Sequence, residues 1–80
     1  MRIDKFLKNS RLIKRRTVAM EACEQERVTI NGRIAKPGSE VRPGDEIVIT
    51  FGNRQIRVRA VELLESVRKE DAVAMYEVID

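Results

Sequence analysis

Ile3, Phe6 and Leu7 recur at the spacing of one helix face while Arg2, Lys5 and Lys8 fall elsewhere on the wheel, which predicts a short amphipathic helix over residues 3–8. Asn9-Ser10 interrupts it. Thr17 then offers an N-cap to a second helix, whose apolar positions Val18, Ala19, Ala22 and Cys23 share a face with Glu21, Glu24 and Gln25 outward. From Arg27 the pattern turns to alternation. Val28-Thr29-Ile30 and Arg33-Ile34-Ala35 flank Asn31-Gly32, a two-residue hairpin signal because both turn positions require positive φ. Lys36-Pro37-Gly38 and Arg42-Pro43-Gly44-Asp45 supply two turns in which Pro sets the first central residue and Gly the second. Glu46 to Phe51 reads as a strand, Gly52-Asn53 as a turn, and Arg54 to Val61 as the returning strand. Beyond it, Glu70 to Met75 has room for one helical turn and Tyr76, Val78 and Ile79 for a last strand. The expected fold is α+β, with two short N-terminal helices packed on a small, mostly antiparallel sheet. No linker or repeat divides it, so residues 1–80 are one domain.

Composition narrows the chemistry. No segment of these 80 residues approaches the ~18 apolar residues of a membrane span, and the start of the chain lacks the apolar stretch of a secretory signal. A cytoplasmic protein is therefore expected, and the lone Cys23 suits that compartment. With no His and one Cys, the chain lacks the usual general base and the soft ligands of a zinc site. Ser10, Ser39 and Ser66 have no His to activate them, and the acidic pairs Glu24/Glu26 and Glu70/Asp71 read as solvated surface charge. No catalytic residue, metal ligand or cofactor is expected. Cys23 falls on the apolar face of the second helix and reads as a buried structural thiol. Phe6 and Phe51 read as core, leaving Tyr76 as the one aromatic open to another role.

The charge is uneven. Residues 1–16 carry Arg2, Lys5, Lys8, Arg11, Lys14, Arg15 and Arg16 against Asp4 alone, a net +6, whereas the other 64 residues hold nine basic and twelve acidic side chains. A basic stretch on an otherwise acidic body is the footprint of a polyanion partner. A solvated helix face, a membrane-surface helix, a protein adaptor and a DNA-binding protein are the competing readings, but there is no helix-turn-helix recognition pattern or dimerisation heptad for the last. Asp4 stands alone among these cations, either as a partner of the helix dipole or as the group that orients Arg2, Arg16 or both.

Arg2-Ile3-Asp4-Lys5-Phe6-Leu7, Arg15-Arg16-Thr17-Val18-Ala19, Val28-Thr29-Ile30-Asn31-Gly32 and Pro43-Gly44-Asp45-Glu46-Ile47 follow one another in this order. Together they resemble the αL RNA-binding domain first described in ribosomal small-subunit protein S-four, over about residues 2–51, with 52–80 as a strand-rich extension. Within that superfamily the chain is most similar to stand-alone factors of ribosome-associated quality control, and next to small heat-shock ribosome-recycling proteins. The resemblance implies a monomer that binds a large ribosomal subunit obstructed by peptidyl-tRNA, touches rRNA and tRNA, and supports alanine tailing by a separate tailing factor on the same particle. A general rRNA- or tRNA-binding recycling or assembly factor is the alternative. Carried over by motif, Arg2, Asp4, Lys5, Arg11, Lys14, Arg15 and Arg16 form the RNA face, with Asn31, Gly32 and Lys36 at its rim. Two departures stand out. Glu26 takes a position where the family usually has Gly, which tolerates positive φ as Glu does not. The chain also ends in Glu77 and Asp80, with no basic helical extension.

Overall fold

The computed structural model describes residues 1–79, and Asp80 lies outside them. In chain order the elements are α1 (Ile3–Asn9), α2 (Arg16–Glu24), β1 (Val28–Ile30), β2 (Arg33–Ile34), β3 (Glu46–Phe51), β4 (Arg54–Ala60), a 3-10 helix (Lys69–Met75) and β5 (Tyr76–Val78). The strands form one sheet in the order β2-β1-β3-β4-β5, and every neighbouring pair is antiparallel. This is the expected α+β architecture.

The apolar stripe of α1 closes the core. Ile3, Phe6 and Leu7 are fully buried and meet Ala19, Ala22 and Cys23 of α2 above Val28, Ile47, Ile49 and Val58 of the sheet. Strand alternation sends the intervening residues to the other face. Arg57 and Arg59 therefore stand with Glu46 and Glu77, across the pairings Glu46↔Arg59 and Arg59↔Glu77. The 3-10 helix adds Met75 to the core.

Turn chemistry fixes the sheet's register. Asn31 and Gly32 both adopt positive φ, 52° and 82°, and join β1 to β2 as a two-residue hairpin of that kind requires. The Asn31 side chain also ties the hairpin to the next turn, donating to Asp45 Oδ1 at 3.0 Å and accepting the Glu46 N–H at 2.9 Å. In the Arg42–Asp45 turn Gly44 has φ 93°, the value that a Pro-Gly type II turn demands.

Four expectations need correction. α2 begins at Arg16 with Arg15 as N-cap, so Thr17 lies inside the helix and caps nothing. The Arg15 carbonyl already accepts the Ala19 N–H, and Arg16 is held by a contact outside the helix that local cap preference does not see. Phe51, expected in the core, is 37% exposed. It continues the alternation of Ile47 and Ile49, but it sits at the hairpin end of β3, opposite the exposed Arg54. Gly38, although it follows Pro37, is not among the positive-φ residues. The backbone of the 36–39 turn lies instead beneath Arg2, and a Cβ at Gly38 would stand 3.9 Å from the Arg2 Cζ. The helical turn near the C-terminus starts one residue early, at Lys69, and is of 3-10 type.

Candidate nucleic-acid interface

The chain's first residues are held against a distant loop. Ile3 N–H donates to the Ser39 carbonyl at 2.8 Å, Asp4 N–H to the Pro37 carbonyl at 3.3 Å, and Arg2 bridges to Glu40. The 36–39 turn is thus fastened to the start of α1, and Lys36 is exposed at its first position.

Asp4 is at the centre of this edge. Its side chain is fully buried, whereas those of its partners Arg2 and Arg16 keep 50% and 44% of their surface exposed. Arg2 grips it with two donors, Nε to Oδ1 at 3.2 Å and Nη2 to Oδ2 at 3.1 Å. Arg16 approaches from α2, with Nη2 and Nε each 3.5 Å from a carboxylate oxygen. The Lys5 N–H adds a further bond to Oδ1 at 2.7 Å. A charge this deep is tolerable only when paired and hydrogen-bonded, as it is here. One carboxylate thus fixes two guanidinium groups, one from the residue that precedes α1 and one from the start of α2, and leaves one positive charge in excess at the surface. The two readings of Asp4 prove compatible, since it both lies in the first turn of α1 and orients both arginines.

The other expected site residues divide between locations. Exposed Arg11 and Lys14 line an open cleft of about 390 Å³ with Lys8, Asn9, Glu65, Ser66 and Val67. Arg15 is exposed at the N-terminus of α2. The Lys5 ammonium is engaged by Glu65, and that hydrogen bond, with the attraction of the opposite charge, holds the Glu65 carboxyl below the usual carboxylate range. Asn31 lies apart, in a broader concavity lined also by Ile30, Arg33, Ile34, Arg42 and Asp45, and its amide is committed to Asp45 and Glu46. Gly32 is the exposed tip of that hairpin. The junction of the helices therefore does not gather its cations in one place, because Arg16 turns to Asp4 while Arg11 and Lys14 face the 65–67 loop.

Sequence reasoning counted Lys8 in the basic stretch but left it out of the RNA face, and passed over Asn9 and Glu65. Lys8 had a local signal, standing one turn after Asp4; the contacts of Asn9 and Glu65 span more than fifty residues and had none. Among the described residues no cluster of His, Cys, Asp or Glu is arranged to hold a metal ion. Cys23 is buried, and that burial, with the nearby charges of Asp4 and Glu24, pushes its thiol up to about 11, far from a reactive thiolate.

A helical edge rich in preoriented arginine, backed by an antiparallel sheet, defines an RNA-binding module, and the chain belongs to the S4 domain family, whose model matches residues 1–47. It is 58% identical over 78 residues to the RQC P-site tRNA stabilizing factor of Halalkalibacterium halodurans, covering 98% of this chain and 89% of that one. The protein of the same name from Bacillus subtilis is 51% identical, with 99% and 92% covered. Among solved structures, trimeric Heat Shock Protein 15 of Vibrio cholerae superimposes with a TM-score of 0.91 at 28% identity, covering 99% of this chain and 81% of that one.

Proposed function

We propose that this protein is a non-catalytic RNA-binding factor of ribosome-associated quality control. It acts in the cytoplasm on large ribosomal subunits obstructed by peptidyl-tRNA, steadies that tRNA against rRNA, and so supports C-terminal alanine tailing by a separate factor. The observation that carries the reading is the shared Asp4. Arg2 and Arg16 are held in fixed directions with their outer edges open, and a preoriented guanidinium loses less freedom when its planar fork meets a phosphate. Two RNAs brought close repel through their phosphates. A cationic edge between them offsets that repulsion without reading any base, as expected for recognition of RNA by shape and backbone. The names borne by the relatives, 51–58% identical over nearly the whole chain, point to the P-site tRNA as one of the two. On this reading the RNA face runs from Arg2 and Arg16, oriented by Asp4, with Lys5, Arg15 and Lys36 beside them, to Arg11 and Lys14 in the neighbouring cleft, while Asn31 and Gly32 on the separate hairpin form an outlying rim.

The decisive comparison is between purified large subunits with and without peptidyl-tRNA, at equal salt. Tighter binding to the obstructed particle is expected, and Arg2→Lys or Arg16→Lys should weaken it about tenfold, because lysine keeps the charge but loses the fork. Equal affinity for both particles would leave a general rRNA-binding or recycling factor. Binding to neither would return a protein adaptor to first place.

A further inference from the structure

The cleft beside α1 has a wall that the S4 domain match does not include. That match ends at residue 47, yet one side of the cleft is Glu65, Ser66 and Val67. Asn9 fastens this wall by donating from Nδ2 to the carbonyls of Leu64 and Glu65, at 3.0 and 3.2 Å. Lys5 fastens it a second time through Glu65, and Leu63, Leu64 and Val67 pack against the core from behind. The opposite side presents Lys8, Arg11 and Lys14, all exposed, and among the described residues none of the three is in an ion pair.

Arg11 has a further peculiarity. It follows the C-cap of α1 with φ 64°, a left-handed conformation that glycine or asparagine adopts more cheaply than a long side chain. A strained residue carrying a free cation into a concave surface is a reason to look for a ligand. Lys8 lies four residues beyond Asp4 on α1, a rise of about 6 Å, so cations continue from the Arg2–Arg16 centre into the cleft.

We infer that the cleft carries the RNA face beyond its Arg2–Arg16 centre, as a groove for the sugar-phosphate backbone of the same RNA in which Lys8 joins Arg11 and Lys14 and the 64–67 wall forms the far side. Lys8, Arg11 and Lys14 contact successive phosphodiesters, and Asn9 is a positioning residue that holds the 64–67 wall in place. The cleft is polar, without an aromatic platform to stack a base or a glycine-rich cradle for a nucleotide's phosphates, which suits a sugar-phosphate backbone. Glu65 is the one carboxylate in its path, and its pairing with Lys5 moderates the field there. This inference rests on the RNA-binding reading above.

The test measures affinity for the obstructed large subunit over a salt series, with wild-type protein, the Lys8→Ala/Lys14→Ala double variant, Arg11→Gly, Glu65→Gln and Arg2→Lys. The double variant should bind at least tenfold more weakly with an unchanged melting temperature. Its log–log salt slope should shrink in magnitude by about 1.4–1.8, the value for two lost phosphate contacts. Arg11→Gly should melt higher yet bind more weakly, opposite movements that a purely structural role does not produce. Glu65→Gln should bind two- to fivefold more tightly. Unchanged affinity and slope in the double variant, while Arg2→Lys weakens binding, would overturn the cleft and leave the RNA-binding reading standing. No binding by wild-type protein would overturn both.

Discussion

At the helical edge one buried carboxylate, Asp4, is shared by Arg2 and Arg16, whereas on the outer face of the sheet Arg57 and Arg59 each have a glutamate of their own. The sheet pairs are close, Arg57 to Glu46 at 2.7 Å and Arg59 to Glu77 at 2.6 Å, but all four side chains are at least 36% exposed. Water and salt screen such pairs, and two cations on two anions leave no net charge. Asp4 is screened by nothing except its partners, and two cations on one anion leave a surplus aimed at solvent. Arginine count is thus a poor guide to where a polyanion binds in this molecule. The ratio of guanidinium to carboxylate, and the depth of the carboxylate, separate a binding edge from a neutralised face.

The sharpest way to break the comparison is to strip both arginines from Asp4. Arg2→Ala/Arg16→Ala leaves a fully buried carboxylate with only the Lys5 N–H, an uncompensated charge that should cost about 3–5 kcal/mol of stability. Adding Asp4→Asn to that background should recover most of the loss. Urea unfolding of the three proteins checks both statements, and a double variant as stable as wild type would mean that Asp4 does not depend on its partners. For this reason lysine, rather than alanine, is the informative replacement in the binding experiments.

Asp4→Asn alone sharpens the comparison from the other side. It raises the net charge by one, which by long-range attraction alone would strengthen RNA binding. The expectation here is the reverse, with affinity for the obstructed subunit falling about three- to tenfold because the two guanidinium groups lose the charge-assisted bonds that orient them. Stability should fall by about 1–3 kcal/mol. A gain in affinity would show that charge, and not orientation, governs the edge.

Why the sequence disclosed some of this and not the rest follows from how far each determinant lies along the chain. The Asn31-Gly32 hairpin was legible because two adjacent residues set it. Pro43-Gly44 and Pro37-Gly38 look alike as dipeptides, yet only Gly44 takes positive φ, since the 36–39 turn is moulded by its bonds to Ile3 and Asp4. Glu26 stood out where the family has Gly, and it does adopt φ 61°. The N–H groups of Glu26 and Arg27 bond back to Cys23 and Ala22, the doubly bonded helix end in which glycine is usual. Arg11 meets the same backbone demand at the end of α1, but nothing in its neighbours announced it. Asp4 with Arg2 was within local reach. The wall of the cleft was not, because Asn9 and Lys5 find their partners 55 and 60 positions away.

The smallest effect is expected on the sheet, and it completes the contrast. Arg59→Ala removes a pair whose members are 46% and 56% exposed, so the glutamate left behind is already solvated and carries no burial penalty. Pairs of this kind contribute about 0.2–1 kcal/mol, and the stability change should fall in that range, against the several kcal/mol at Asp4. Removing the cation also leaves Glu46 paired with Arg57, so the outer face gains one negative charge without exposing a new apolar surface. If that face lies away from RNA, affinity for the obstructed subunit should change by less than about twofold at a salt concentration where the Debye length is about 8 Å. Isothermal binding and thermal unfolding on the same preparation measure both quantities. A loss of binding comparable to that of Arg2→Lys, with the fold intact, would place the sheet face against RNA and end the distinction between shared and matched arginines.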